Sequence, residues 1–116
     1  MHVKRADRVG VLVQREISDL LLTKIKDPRL DLVTITQVRI SDNLQSARIY
    51  FCAAGGDERK ESVLAGFHSA VGYLKRELGC RLELRNVPEL KFIYDESFDR
   101  AAALNEVFET MHNETN

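Results

Sequence analysis

The chain has 116 residues, of which 44% are hydrophobic and 30% charged, with a formal net charge of −1 at pH 7. That is the size of one domain with one core, large enough to fold without a disulfide or a structural metal. The longest apolar runs, such as Val11-Leu12-Val13 and Leu20-Leu21-Leu22, fall far short of the roughly 20 residues of a membrane span, and no apolar stretch marks a signal peptide.

The first predicted element is a helix. Val9, Leu12, Val13, Ile17, Leu20, Leu21 and Ile25 recur at spacings that gather them on one face, with Arg5, Arg8, Arg15, Glu16 and Asp19 mainly on the other. Pro28 disfavours helical geometry at Asp27, so the helix should stop near Lys26. Two strands follow. Val33 to Ile40 is rich in β-branched residues, and Ala47 to Phe51 alternates in part between apolar and polar. Ser41-Asp42-Asn43 supplies turn formers between them, which predicts an antiparallel hairpin.

Gly55-Gly56-Asp57 ends the second strand. From about Arg59 to Leu78, the residues Val63, Leu64, Phe67, Val71, Leu74 and Leu78 keep helical spacing. Ser69-Ala70-Val71-Gly72 interrupts that pattern with small residues, and a mid-helix Gly costs about 1 kcal/mol relative to Ala. A kink, or a break into two helices, is expected there, with Gly79 at the C-terminal cap. Leu82 to Arg85 and Leu90 to Tyr94 read as one long strand interrupted at Val87-Pro88, which implies an edge strand or a bulge. Phe98 to about His112 has helical spacing again and is acidic. Helices laid over one face of a three-stranded sheet give a two-layer α+β domain.

The net charge hides an asymmetry. Residues 1–29 carry seven Lys/Arg against four Asp/Glu, residues 30–68 four against five, residues 69–91 five against three, and residues 92–116 one against six. The acidic end hides two basic segments, so the asymmetry, not the bulk charge, is the informative quantity for nucleic-acid binding. The basic candidates are Lys4, Arg5 and Arg8 at the start of the first helix, then Lys75 and Arg76 just past the small residues, then Arg81, Arg85 and Lys91. Cations of this kind neutralise phosphates and release counterions; a solvated charged surface is the plain alternative. At a helix break, Ala70 and Gly72 would let a phosphate approach the free N–H groups of a second helix, with Tyr73 placed to stack. The plain alternative is a packing kink.

No other chemistry is spelled out. Gly55-Gly56 has no phosphate-cradling continuation. His2, His68 and His112 lack metal-ligand spacing, and Cys52 and Cys80 read as free thiols in a reducing cytosol. Glu89 and Asp95 flank an apolar strand and are the carboxylate pair a small enzyme would use, though strand-end carboxylates usually cap or pair. A protein–protein adaptor using an open sheet face is a further alternative.

Several stretches together carry a family resemblance. They are Arg8-Val9 with Glu16-Ile17, Ile25-Lys26-Asp27-Pro28-Arg29, Val33-Thr34-Ile35-Thr36 with Ser41, and Ala47 to Tyr50. The later ones are Ala70-Val71-Gly72-Tyr73-Leu74 and Leu84-Arg85-Asn86-Val87-Pro88-Glu89-Leu90 with Phe92 and Asp95. Over residues 3 to 97 the chain resembles the ribosome-binding factor A family of bacterial 30S maturation factors. The resemblance implies a type II KH-like domain, α-β-β-α-α-β, over residues 1–96, with an acidic helix and tail over 97–116. It implies a cytoplasmic, non-catalytic monomer that needs no cofactor or metal and engages no membrane or small-molecule substrate. It also implies that this protein binds the immature 30S subunit through 16S rRNA, leaves before translation, and assists 5′ maturation of the 16S precursor and growth in the cold. Arg29 joins the RNA-contact candidates on this ground. Ala70-Val71-Gly72 replaces the GxxG clamp of ordinary KH domains, so shape and phosphate contacts on folded RNA are expected rather than single-strand readout. Glu83 departs from the family pattern where relatives often carry a cation, and the tail is shorter than in some.

Overall fold

The structure, a computed structural model, describes residues 4–97. Helix α1 spans Arg5–Thr23, and Lys24 caps its C-terminus. It ends before Lys26 because Asp27 caps a separate 3₁₀ turn, Pro28–Leu30, with Pro28 at its first position. Strands β1 (Val33–Ile40) and β2 (Ser46–Ala53) form the expected antiparallel hairpin, which shifts register by a bulge between Ile35 and Gln37. The hairpin turn is held by side chains: Ser41 Oγ accepts from Gln45 and Ser46 N–H at 3.2 and 3.1 Å, and Asn43 Oδ1 accepts from Gln45 N–H at 3.0 Å.

After a 3₁₀ turn at Gly56–Arg59, helix α2 runs without interruption from Lys60 to Arg81. The break expected at Ala70-Val71-Gly72 is therefore not there, and the described order is α-β-β-α-β with one helix where two were expected. Local propensity loses to packing. Phe67 on one side of Gly72 and Leu74 and Leu78 on the other are all fully buried. Burying a large apolar side chain is worth about 1.5–3 kcal/mol, more than the ~1 kcal/mol that one glycine withholds.

Strand β3 is Glu89–Tyr94 only. The expected continuation back to Leu82 is a second correction. Leu82 caps α2, Glu83 turns the chain with φ +52°, and the Leu84 N–H bonds back to the Gly79 carbonyl at 3.1 Å. Gly79 accordingly lies inside α2 rather than at its cap, where an added Cβ would sit 3.1 Å from Val87 Cγ2. The sheet order is β1-β2-β3, with β3 parallel to β2.

Alternation divides the sheet into two faces. Ala47, Ile49 and Phe51 of β2 pair with Leu90, Phe92 and Tyr94 of β3 and face the helices. Val9, Val13, Ile17 and Leu20 of α1 meet them with Val63, Phe67, Leu74 and Leu78 of α2. Phe51 stands edge-on to Phe67 and Tyr94, and Phe67 stacks on Phe92 with centroids 4.2 Å apart. Arg48, Lys91 and Arg39 occupy the alternate positions, on the face without helices. No described helix is long and apolar enough to cross a membrane. The terminal helix expected from Phe98 lies outside the described residues.

Candidate nucleic-acid interface

The outward face of α2 carries small residues at Ala65, Ser69 and Gly72. Ala65, His68, Ser69, Gly72 and Arg76 are all exposed, and a Cβ built on Gly72 meets nothing within 4 Å. Gly72 and Arg76 are one helical turn apart on that face. Among the described residues no carboxylate lies within ion-pair distance of Lys75 or Arg76. Because α2 is continuous, the N–H groups around Gly72 belong to its internal ladder. The expectation of free N–H donors and a positive helix end at this point therefore fails, and a small-residue surface beside two cations remains. Ala70 and Tyr73 are half-buried and pack against the core, so Tyr73 shapes the helix seat more than it presents a ring to solvent.

Two of the predicted cations, Arg81 and Arg29, are hydrogen-bonded to carboxylates. Arg81 Nη1 donates to Asp19 Oδ2 at 2.8 Å and to Glu16 Oε2 at 3.0 Å, and its Nε lies 3.7 Å from Glu77. Hydrogen bonds to Asp19 and then Glu16 raise its already high pKa further. The guanidinium thereby ties α2 to α1. Arg29 forms a bidentate pair with Asp27, Nη2 to Oδ2 at 2.8 Å and Nε to Oδ1 at 3.1 Å, and reaches Ser69 Oγ at 3.3 Å. The hydrogen bond from the Arg29 side chain, aided by the Arg29 N–H, holds the Asp27 carboxyl below its usual range. Arg29 thus belongs beside Ser69, at the edge of the outward face of α2.

The remaining cations are spread over the surface. Lys4, Arg5 and Arg8 open α1 beside the β1–β2 turn, where Lys4 Nζ lies 3.8 Å from Asp42. Arg85 is exposed in the loop before β3, and Lys91 projects from the helix-free sheet face. Lys75 and Arg76 on α2 and Lys91 on β3 therefore do not form one patch. Arg39 and Arg48, not singled out from the sequence, stand in register with Lys91 across all three strands. The signal was available: both fall at outward positions of the predicted strands, and the hairpin register sets them opposite one another.

The carboxylate pair of the enzymatic alternative is not brought together. Glu89 and Asp95 stand at opposite ends of β3, about 20 Å apart at ~3.3 Å per residue. Asp95 accepts from the Thr36 hydroxyl at 2.6 Å, a structural contact from β1 to the end of β3. Among the described residues no three metal-ligating side chains cluster, and Cys52 is buried whereas Cys80 is exposed.

The family model described as ribosome-binding factor A matches residues 5–108. A ribosome-binding factor A from Syntrophobacter fumaroxidans is 44% identical over 114 residues, spanning 97% of this chain and 97% of that protein. One from Staphylococcus epidermidis is 38% identical over 112 residues, again 97% of each. The crystal structure of ribosome-binding factor A from Thermus thermophilus superposes with a TM-score of 0.68 at 25% identity, over 77% of this chain and 93% of that one. A homology model of the Thermus thermophilus factor, fitted into a cryo-EM map of its complex with the 30S subunit, gives a TM-score of 0.66 at 25% identity, over 78% and 96%.

Proposed function

This chain belongs to the ribosome-binding factor A family, and from that premise we propose that it binds the free 30S ribosomal subunit as a non-catalytic assembly factor, contacting 16S rRNA. The observation that carries the site is the open, Cβ-free position at Gly72 with Arg76 one turn later and no carboxylate holding it. Folded RNA presents a phosphate surface, and the small residues Ala65, Ser69 and Gly72 let that surface come close to the helix while Lys75 and Arg76 neutralise it.

Ala70 and Tyr73 seat this part of α2 on the core, and Arg29 borders it through Ser69. Lys4, Arg5, Arg8 and Arg85 extend the field and take outlying phosphates. Arg81 serves by clamping α2 to α1. Residues 1–96 serve as the RNA-binding domain, and the acidic residues 97–116 add no phosphate contact, because like charges repel. In this reading the protein acts in the cytoplasm as a monomer, binds the immature subunit, promotes 5′ maturation of the 16S precursor and supports growth in the cold. Purified protein is expected to co-sediment with free 30S subunits through a sucrose cushion and to release as salt rises. Absence from the 30S fraction at low salt would overturn the proposal.

A further inference from the structure

The face of the sheet that carries no helix holds charge that the proposed contact on α2 does not use. Arg39 of β1 pairs in register with Arg48 of β2, and Arg48 with Lys91 of β3. All three are exposed. Neighbouring strands lie about 4.8 Å apart, so three cations are anchored within about 10 Å across the sheet. Like charges directly opposite one another weaken a strand pair, and an arginine pair flanked by a lysine is therefore costly to the free protein. Among the described residues no carboxylate lies within 4.0 Å of any of the three. The β1 end of the row opens into a groove of about 390 Å³ that includes Asp7 and Gln14, but Asp7 does not reach ion-pair distance. With the Gln37 amide oriented so that its oxygen faces Arg39, it accepts from Arg39 Nε at 2.8 Å and Nη2 at 3.0 Å, which orients that guanidinium without neutralising it.

We propose that Arg39, Arg48 and Lys91 form a second phosphate-contacting surface for ribosomal RNA, separate from the face of α2. The inference rests on the RNA-binding reading above and adds to it a site on the opposite layer of the domain. The ligand is the sugar–phosphate backbone: a row of point charges on a rigid sheet matches closely spaced phosphates, and their negative field relieves the repulsion among the three cations. Of the two adjoining rungs, Gln37, Tyr50 and Ile93 are uncharged, while the other pairs Ser46 with Glu89, an exposed carboxylate two residues from Lys91 on the same face and beyond ion-pair distance.

The test is the full chain carrying Arg39→Gln, Arg48→Gln and Lys91→Gln together, compared with the wild type for binding to free 30S subunits across a salt series. Three lost phosphate contacts predict at least a tenfold weaker affinity at low salt and a log–log salt slope shallower by roughly 2, at ~0.7 per contact. The urea midpoint of the free variant should match or exceed that of the wild type, since repulsion has been removed. An Arg39→Lys, Arg48→Lys variant keeps the charge and should keep the wild-type slope. Wild-type affinity and slope in the neutralised variant would overturn this site while leaving the function above intact. A wild type that fails to bind 30S would instead refute the function on which the site rests. Weakened binding to 30S with undiminished binding to protein-free 16S rRNA would assign the row to an acidic ribosomal protein and overturn it. A lowered urea midpoint would contradict the repulsion.

Discussion

Replacing Gly72 by Ala separates the two demands on α2. Gly72 lies in the interior of a continuous 22-residue helix, exposed, and a Cβ there meets nothing within 4 Å. No steric cost offsets the gain in helix propensity, so Gly72→Ala should stabilise the protein by about 0.8–1.0 kcal/mol. For a domain of this size that is a rise in melting temperature of roughly 3–4 °C. The same methyl group protrudes from the face on which phosphate is proposed to approach. Losing one close contact worth about 1 kcal/mol weakens binding roughly fivefold. Thermal melts followed by circular dichroism read the first effect, and pelleting with free 30S at fixed salt reads the second. The two should move in opposite directions, because stability favours Ala and RNA approach favours Gly. A stabilised variant that binds 30S as well as the wild type would refute the role given to Gly72. A destabilised variant would refute the account of α2 as an unbroken helix with an open face.

Gly66 offers the contrast. An added Cβ would stand 2.9 Å from Leu30 Cγ and Cδ2 and 3.2 Å from Arg29 Cβ, so Gly66→Ala should destabilise by about 1–2 kcal/mol in urea unfolding despite its better propensity. Phe67→Ala removes a fully buried ring that touches both Phe51 and Phe92 and should cost about 3–5 kcal/mol by the same measurement. Arg81→Ala unties α2 from Glu16 and Asp19; its melting temperature should fall, and the fall should shrink in 1 M salt, where ion pairs are screened. Asp27 has a carboxyl pKa lowered from 3.8 by Arg29. Its contribution is therefore present above that value and lost as pH falls through the lower folded value, and Asp27→Asn should flatten the acid limb of the stability–pH curve.

Elements defined by period were legible from the residues alone. The α1 stripe of Val9, Val13, Ile17 and Leu20 is buried as the spacing requires, whereas Leu12, at the margin of that stripe, remains 36% exposed. The hairpin followed from β-branched runs around Ser41-Asp42-Asn43. Misreadings arose where a local signal met a long-range one. Ala70-Val71-Gly72 reads as a break because propensity is local, yet Phe67, Leu74 and Leu78 bind both halves of α2 to one core. Leu82 to Arg85 alternates like a strand, but the positive φ of Glu83 turns the chain instead. The role of Arg81 depends on carboxylates more than sixty positions away in sequence, and the Arg39–Arg48–Lys91 row depends on sheet register. Charge counting finds cations without showing which of them are held by carboxylates and which remain open to RNA.

The open face of α2 is proposed to meet ribosomal phosphate. The most direct measurement of that contact is the salt dependence of affinity for free 30S subunits, with wild type beside Lys75→Glu/Arg76→Glu. If both side chains neutralise phosphates, the reversed variant stays folded, binds much more weakly at low salt, and has a slope shallower by roughly 1.5, at ~0.7–0.9 per contact. A folded double variant with wild-type affinity and slope would place the RNA on another surface.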